Sequence, residues 1–185
     1  WNVNMPQAPV RAYSGMRQQR AQMVQSVDRT LRKILAAVDD NTYVVFTSDN
    51  GFHLGQLGLG EGKGTAYDTD VRVPLFVVGP GIEPGIREEM TTNIDLAPTF
   101  EEFAGLTPAG FRSGRSLVPS LLDASVRQRS HVYFEHTSEP GTKGDPDRVR
   151  NGFENDRIPS YLAVRGEEGL LIRNNLRVGA GPPQY

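Results

Sequence analysis

Asp49 and Asn50 close a run of β-branched and aromatic residues, Thr42-Tyr43-Val44-Val45-Phe46-Thr47, that reads as a strand. In open α/β sheets, ligands bind outside the carboxyl ends of strands. A carboxylate beside an amide carbonyl offers hard oxygens, which suit Ca²⁺ (or Mg²⁺) rather than a soft metal. Lys63 follows in a glycine-rich loop, where a compact ammonium could meet an anionic oxygen. His53 lies between them and could donate to an anion or act as an acid. Each residue also has a plainer reading. Ser48-Asp49-Asn50-Gly51 is equally an ordinary turn whose Asx side chains bind their own backbone. Lys63 alone reads as a solvated surface lysine, and His53 as a loop histidine with a backbone partner. His131 and His136 flank another predicted strand, where structural roles are the better reading.

The surrounding pattern must position these groups. Met16, Met23, Val24, Val27, Leu31, Ile34, Leu35 and Val38 recur at three- and four-residue steps, the apolar stripe of an amphipathic helix running roughly from Tyr13 to Val38. Asp39-Asp40-Asn41 ends it. The strand that follows is nearly continuous in apolar residues and is expected to be covered on both faces. A second apolar run, Val73 to Val78, is a second strand, with Pro74 near its start. The connection 48–72 is long for a compact domain, and such loops are often functional. Asp95 is placed to cap a short helix, Leu96 to Ala104, closed by Gly105. A helical turn lies near VPSLLDA, and Ser130 to Glu135 reads as a strand. Residues 137–159 form a long polar loop. Tyr161–Arg165 and Leu170–Arg173 flank a turn and form a hairpin. The entry segment 1–10 is irregular, and the tail 179–185 is expected to be disordered. The division expected is 1–125, an α/β part; 126–178, a small β-rich part; and the tail.

The chain has 185 residues, and Lys and Arg nearly balance Asp and Glu, for a formal charge of −2. That argues against nucleic-acid binding through a broad basic face. A chain this long can bury roughly 70% of its unfolded surface as one domain. No apolar run approaches the ~18 residues of a membrane span. With no Cys, disulfides, thiolate nucleophiles and cysteine-based zinc sites are excluded within these residues. The segment Gly58 to Thr65 imitates a phosphate loop and fails, because Leu57 and Gly64 occupy the positions that need Gly and Ser/Thr. A GxGxxG frame fails at Lys63, and no GxSxG elbow exists.

Two ordered segments carry a family resemblance. Asn41 through Gln56, with Ser48-Asp49-Asn50-Gly51-Phe52-His53-Leu54-Gly55-Gln56, resembles the metal-binding strand of sulfatases. Gly62 through Leu75, GKGTAYDTDVRVPL, resembles their lysine segment, most closely in the glucosamine-6-sulfatase and arylsulfatase-like branch. Thr92-Asn93-Ile94-Asp95-Leu96-Ala97-Pro98-Thr99 and Tyr161-Leu162-Ala163-Val164-Arg165 resemble later landmarks. The resemblance spans most of residues 10–175. It implies an alkaline-phosphatase-like α/β/α sheet followed by a small antiparallel β element. It also implies hydrolysis of a sulfate monoester, aryl or sugar, at one divalent cation, usually Ca²⁺. Asp49 and Asn50 would be metal ligands, and Lys63 would contact the sulfate and the leaving-group charge. His53 would be a further catalytic residue. Ester cleavage loads negative charge on the transferring oxygens, which a metal and a cation stabilise.

The family's formylglycine nucleophile arises in a C/S-x-P-S-R motif that these residues lack, as they lack the paired N-terminal aspartates and the histidine that precedes the long helix. The expectation is therefore a partial catalytic domain, completed by an N-terminal segment or a second chain and inactive on its own. A phosphomonoester or phosphonate hydrolase of the same superfamily is a competing reading, since the anions are alike in shape. A non-catalytic Ca²⁺- or sugar-binding module is another, with Lys143, Arg148, Arg150 and Arg157 available to a sulfated sugar. No compartment is read from these residues.

Overall fold

The computed structural model of the chain describes residues 13–137, 149–150, 153–154 and 158–174. The entry segment, the tail, most of the loop 137–159, Lys143, Arg148, Arg157 and the side chain of Arg150 lie outside the described residues. Helix α1 spans Ser14–Leu35, slightly shorter than the apolar periodicity extends. It stops where Asp39 turns the chain: the Asp39 carboxylate accepts the Asn41 N–H and the Thr42 hydroxyl. The stripe predicted for α1 is present in the sequence, yet none of its residues is buried, and Met23 is 68% exposed.

Strand β1, Val44–Thr47, pairs antiparallel with β4, Leu75–Val78, in the register Val44↔Val78 through Thr47↔Leu75. The expectation that β1 is covered on both faces is not met: all four residues are only half-buried, and Phe76 of the neighbouring strand is 65% exposed. An apolar run reports that a strand can be buried, and what covers it is a matter of the other elements present. Tyr43, just before β1, stacks on Phe103 with ring centroids 3.8 Å apart and donates its hydroxyl to the Pro80 carbonyl.

The loop between β1 and β4 is structured. Strands β2, His53–Leu54, and β3, Glu61–Gly62, form a short antiparallel ladder with His53 opposite Gly62. Helix α2, Asp68–Val71, follows. Helix α3, Leu96–Phe103, starts where the sequence places it. Asp95 stands at its N-cap position, but its carboxylate instead closes a capping box with Thr92 around the preceding 3-10 turn. Helix α4, Val118–Leu122, packs on α3.

The C-terminal hairpin forms as expected and gains a third strand. Strands β5, His131–His136, β8, Tyr161–Gly166, and β9, Leu170–Asn174, make an antiparallel sheet in the order β5-β8-β9. Between β5 and β8, β6, Val149–Arg150, pairs with β7, Phe153–Glu154. Alternation along β8 buries Tyr161 and Ala163 and leaves Leu162 exposed. The buried face of this sheet packs on Ala66 from the β3–α2 loop, with Phe134, Ile158, Leu170 and Ile172 around it. The C-terminal sheet thus supports the lysine loop directly. Among the described residues, no helix is long and apolar enough to cross a membrane.

Candidate active site

The end of β1 presents Asp49 and Asn50. Asp49 is exposed, and its Oδ1 accepts the Asn50 N–H at 2.8 Å and the Ser48 hydroxyl at 3.3 Å. Asn50 is half-buried and donates its amide N–H to the Gly51 carbonyl. Its Oδ1 accepts a hydrogen bond from Lys63 Nζ at 3.3 Å. The two segments singled out in the sequence therefore meet, and the lysine ammonium lies on the oxygen that a hard cation would use. This donor set is hard but partial. Among the described residues, no group of three or more His, Cys, Asp or Glu is gathered to hold a metal. The residues fit a divalent cation as two donors of its shell, with the rest to come from elsewhere.

Gly51 makes this arrangement possible. Its N–H donates to the Asp70 carbonyl at 2.7 Å, and a Cβ at this position would lie 2.1 Å from the Thr69 carbonyl oxygen. Only a residue without a side chain lets α2 approach so closely.

That approach brings Asp70 under the site. Asp70 is buried, and both of its carboxylate oxygens lie within 2.9 Å of His53 Nδ1. Its Oδ2 also accepts the Thr65 N–H at 2.9 Å and the Thr65 hydroxyl at 2.6 Å. Burial pushes the Asp70 carboxyl up, but the hydrogen bonds from His53 and Thr65 outweigh it and hold the group below the ordinary carboxylate value. An ionised Asp70 makes His53 Nδ1 the donor. His53 is only 5% exposed, and a Cβ added to Gly62 would come within 3.2 Å of its Nε2.

The C-terminal sheet adds Tyr161, whose hydroxyl donates to the Gly64 carbonyl at 3.1 Å. Burial, and then the Asp70 charge, push its phenol up to about 12. Arg165 of the same strand forks onto Asp68 at 3.0 and 3.2 Å, fixing β8 to α2. His136 stacks on Tyr161 beside Gly64, while His131 is exposed and takes a hydrogen bond with Ser130. On the far side, Arg17 and Arg20 of α1 donate to the Leu54 and Phe52 carbonyls.

Three contributors carried no functional reading in the sequence. Asp70 and Tyr161 stood inside longer motifs without a role, and no local pattern links either to His53 or Gly64. Asn93 is the third: its amide N–H donates to the Asp49 carbonyl at 3.1 Å and approaches that of Ser48. It is placed there by the Thr92–Asp95 capping box, and Asp95, fully buried, is gripped by both terminal nitrogens of Arg129 at 2.8 and 2.9 Å.

Comparison with known proteins supplies the wider frame. A model described as Sulfatase matches residues 4–106, more than half of the chain. An extracellular sulfatase SULF-1 homologue from Drosophila melanogaster is 41% identical over 137 residues, covering 70% of this chain and 12% of that protein. The N-acetylglucosamine-6-sulfatase of Homo sapiens is 39% identical over 135 residues, covering 69% of this chain and 24% of its own length. The chain thus spans a quarter or less of these relatives. Among solved structures, a protein in complex with its substrate D-glucosamine-2-N,6-O-disulfate aligns over 83% of this chain and 30% of its own, with a TM-score of 0.66 and 25% identity. A phosphonate monoester hydrolase from Silicibacter pomeroyi aligns over 78% of this chain and 28% of its own, with a TM-score of 0.58 and 28% identity. These likenesses agree with the α/β fold and the small antiparallel sheet expected from the motifs.

Proposed function

This chain belongs to the sulfatase family, and we propose that it supplies the C-terminal part of a catalytic domain that hydrolyses sulfate monoesters, with a sulfated sugar as the substrate class. The observation that carries the reading is the contact of Lys63 Nζ with Asn50 Oδ1, which joins a pair of hard oxygen donors to an anion-binding cation. The curated relatives named for a glucosamine sulfatase, and the solved neighbour that holds a disulfated glucosamine, support the sugar class.

In this reading Asp49 and Asn50 hold a divalent cation, Ca²⁺ or Mg²⁺, which when bound neutralises charge on the transferring oxygens. Lys63 binds the sulfate and meets the charge that grows on the leaving oxygen. Asn93, by holding the Asp49 carbonyl, sets the angle at which the Asp49–Asn50 pair leaves β1. The nucleophile is not among these residues, so turnover requires a formylglycine-bearing N-terminal segment or a second chain.

The test uses the full sulfatase that contains these residues. Lys63→Ala should lower kcat/KM on a sulfated glucosamine by about 10²–10³-fold, the scale of losing one charge-stabilising donor. Chelation should abolish turnover, and Ca²⁺ or Mg²⁺ should restore it. Full turnover in Lys63→Ala would sink the assignment. The phosphonate hydrolase neighbour keeps a second reading in play. Relative rates on aryl sulfate, aryl phosphate and a phosphonate monoester decide it, since a preference for phosphorus of several orders of magnitude would replace the sulfatase reading.

A further inference from the structure

The lysine that touches Asn50 sits in a loop of glycines, and its ammonium rides on a flexible four-carbon stem. Aiming such a group requires a fixed main chain beneath it. Residues on both sides of Lys63 are pinned by buried groups from three separate segments. Gly62 pairs with His53 in the β2–β3 ladder. The Gly64 carbonyl takes the Tyr161 hydroxyl, and Gly64 itself holds φ +97°, a left-handed conformation natural to glycine. Thr65 gives both its N–H and its hydroxyl to Asp70, and Asp70 is in turn held by His53.

We infer that His53, Asp70 and Tyr161 are positioning residues that fix the backbone around Lys63, so that His53 serves the reaction through Lys63 and not by passing a proton to the leaving group. The inference rests on the role given to Lys63 above. His53 is buried, and its Nδ1 is committed to the Asp70 carboxylate. So little of the ring reaches solvent that it serves as a strut for the loop. Tyr161 reaches the loop from the C-terminal sheet, so the aim of the lysine depends on an element far away in sequence. A displacement of about 1 Å at a reacting group can cost 10²-fold in rate, enough to make such pinning matter.

The experiment is a set of double-mutant cycles in the full sulfatase, read on two aryl sulfates with good and poor leaving groups. His53→Phe should lower kcat/KM about 10- to 100-fold, as loss of an outer-shell partner does, and by the same factor on both substrates. His53→Asn, whose amide N–H can still reach Asp70, should recover most of that loss. Tyr161→Phe removes one hydroxyl and keeps the ring, and should cost roughly fivefold. In a Lys63→Ala background neither substitution should cost anything further, because the group they aim is gone.

Losses that multiply with Lys63→Ala would overturn the inference. So would a His53→Phe defect confined to the poor leaving group, with a lost limb in the pH profile, since that is the mark of a general acid. If His53→Phe does not fold, the Tyr161–Lys63 cycle decides alone. An unimpaired Lys63→Ala enzyme would instead remove the function assigned to the lysine, a failure visible before any cycle is built.

Discussion

A phenol enclosed beside a carboxylate is a hostile place for a phenolate, and Tyr161 shows the consequence. Burial and the Asp70 charge push it up to about 12 from the ordinary value near 10.0. Below pH ~10 the hydroxyl is neutral in both the folded and the unfolded chain. Between ~10 and ~12 the unfolded chain releases the proton and the folded one keeps it, so stability falls as pH rises through that window. Alkaline titration followed by phenolate absorbance should show a late component among the six tyrosines, and Tyr161→Phe should lack it. The late component persisting in the variant would contradict the enclosed hydroxyl. At this scale the sequence was informative where partners are adjacent. Asp49 and Asn50 are adjacent hard donors, but they and Lys63 gained a functional reading only from the longer motifs that contain them. The His53–Asp70 contact was not legible, because it exists only once Gly51 lets α2 fold back beneath the strand end.

Among the elements, the 3-10 turn before α3 carries more than its length indicates. Asp95 is fully buried and binds Thr92, the Arg115 N–H and the Arg129 guanidinium at once. Arg129→Met leaves that carboxylate without its counter-charge, and removing one partner of a buried pair typically costs about 3–5 kcal/mol. The denaturation midpoint should fall accordingly, and Arg129→Met combined with Asp95→Asn should recover part of the loss. An unchanged midpoint would mean the pair contributes nothing. The sequence placed α3 correctly because Asp followed by an apolar-periodic segment is a helix start. It misjudged what the Asp95 carboxylate does, since capping statistics are local and Arg129 is distant in the chain. The same limit applies to β1. Its composition gives a strand, while its half-exposure depends on neighbours that composition does not name.

Across the whole molecule, apolar side chains of two elements lie open among the described residues. Met23, Val24, Val27, Ile34 and Leu35 of α1 and the outward residues of β4, Phe76 and Val78, are exposed. Exposed apolar side chains on one helix face bind hydrophobic dyes. The chain expressed by itself should enhance the fluorescence of such a dye, and Met23→Gln with Val24→Gln should reduce the signal while leaving helicity intact, because Gln is a good helix former. A dye signal indifferent to these changes would place the accessible surface elsewhere. The amphipathic period was readable; the exposure of that face among the described residues was not, because a period identifies a face and says nothing about its occupant. The bond from Tyr161 to Gly64 and the fork from Arg165 to Asp68 each bridge 97 positions of sequence. During synthesis, then, the loop bearing Lys63 emerges long before the strand that steadies it. The ribosome must finish β8 before the last of the loop's tethers forms, so this site is completed late in the birth of the chain, and a nascent product halted before residue 161 carries its lysine on a loop that lacks the Tyr161 bond.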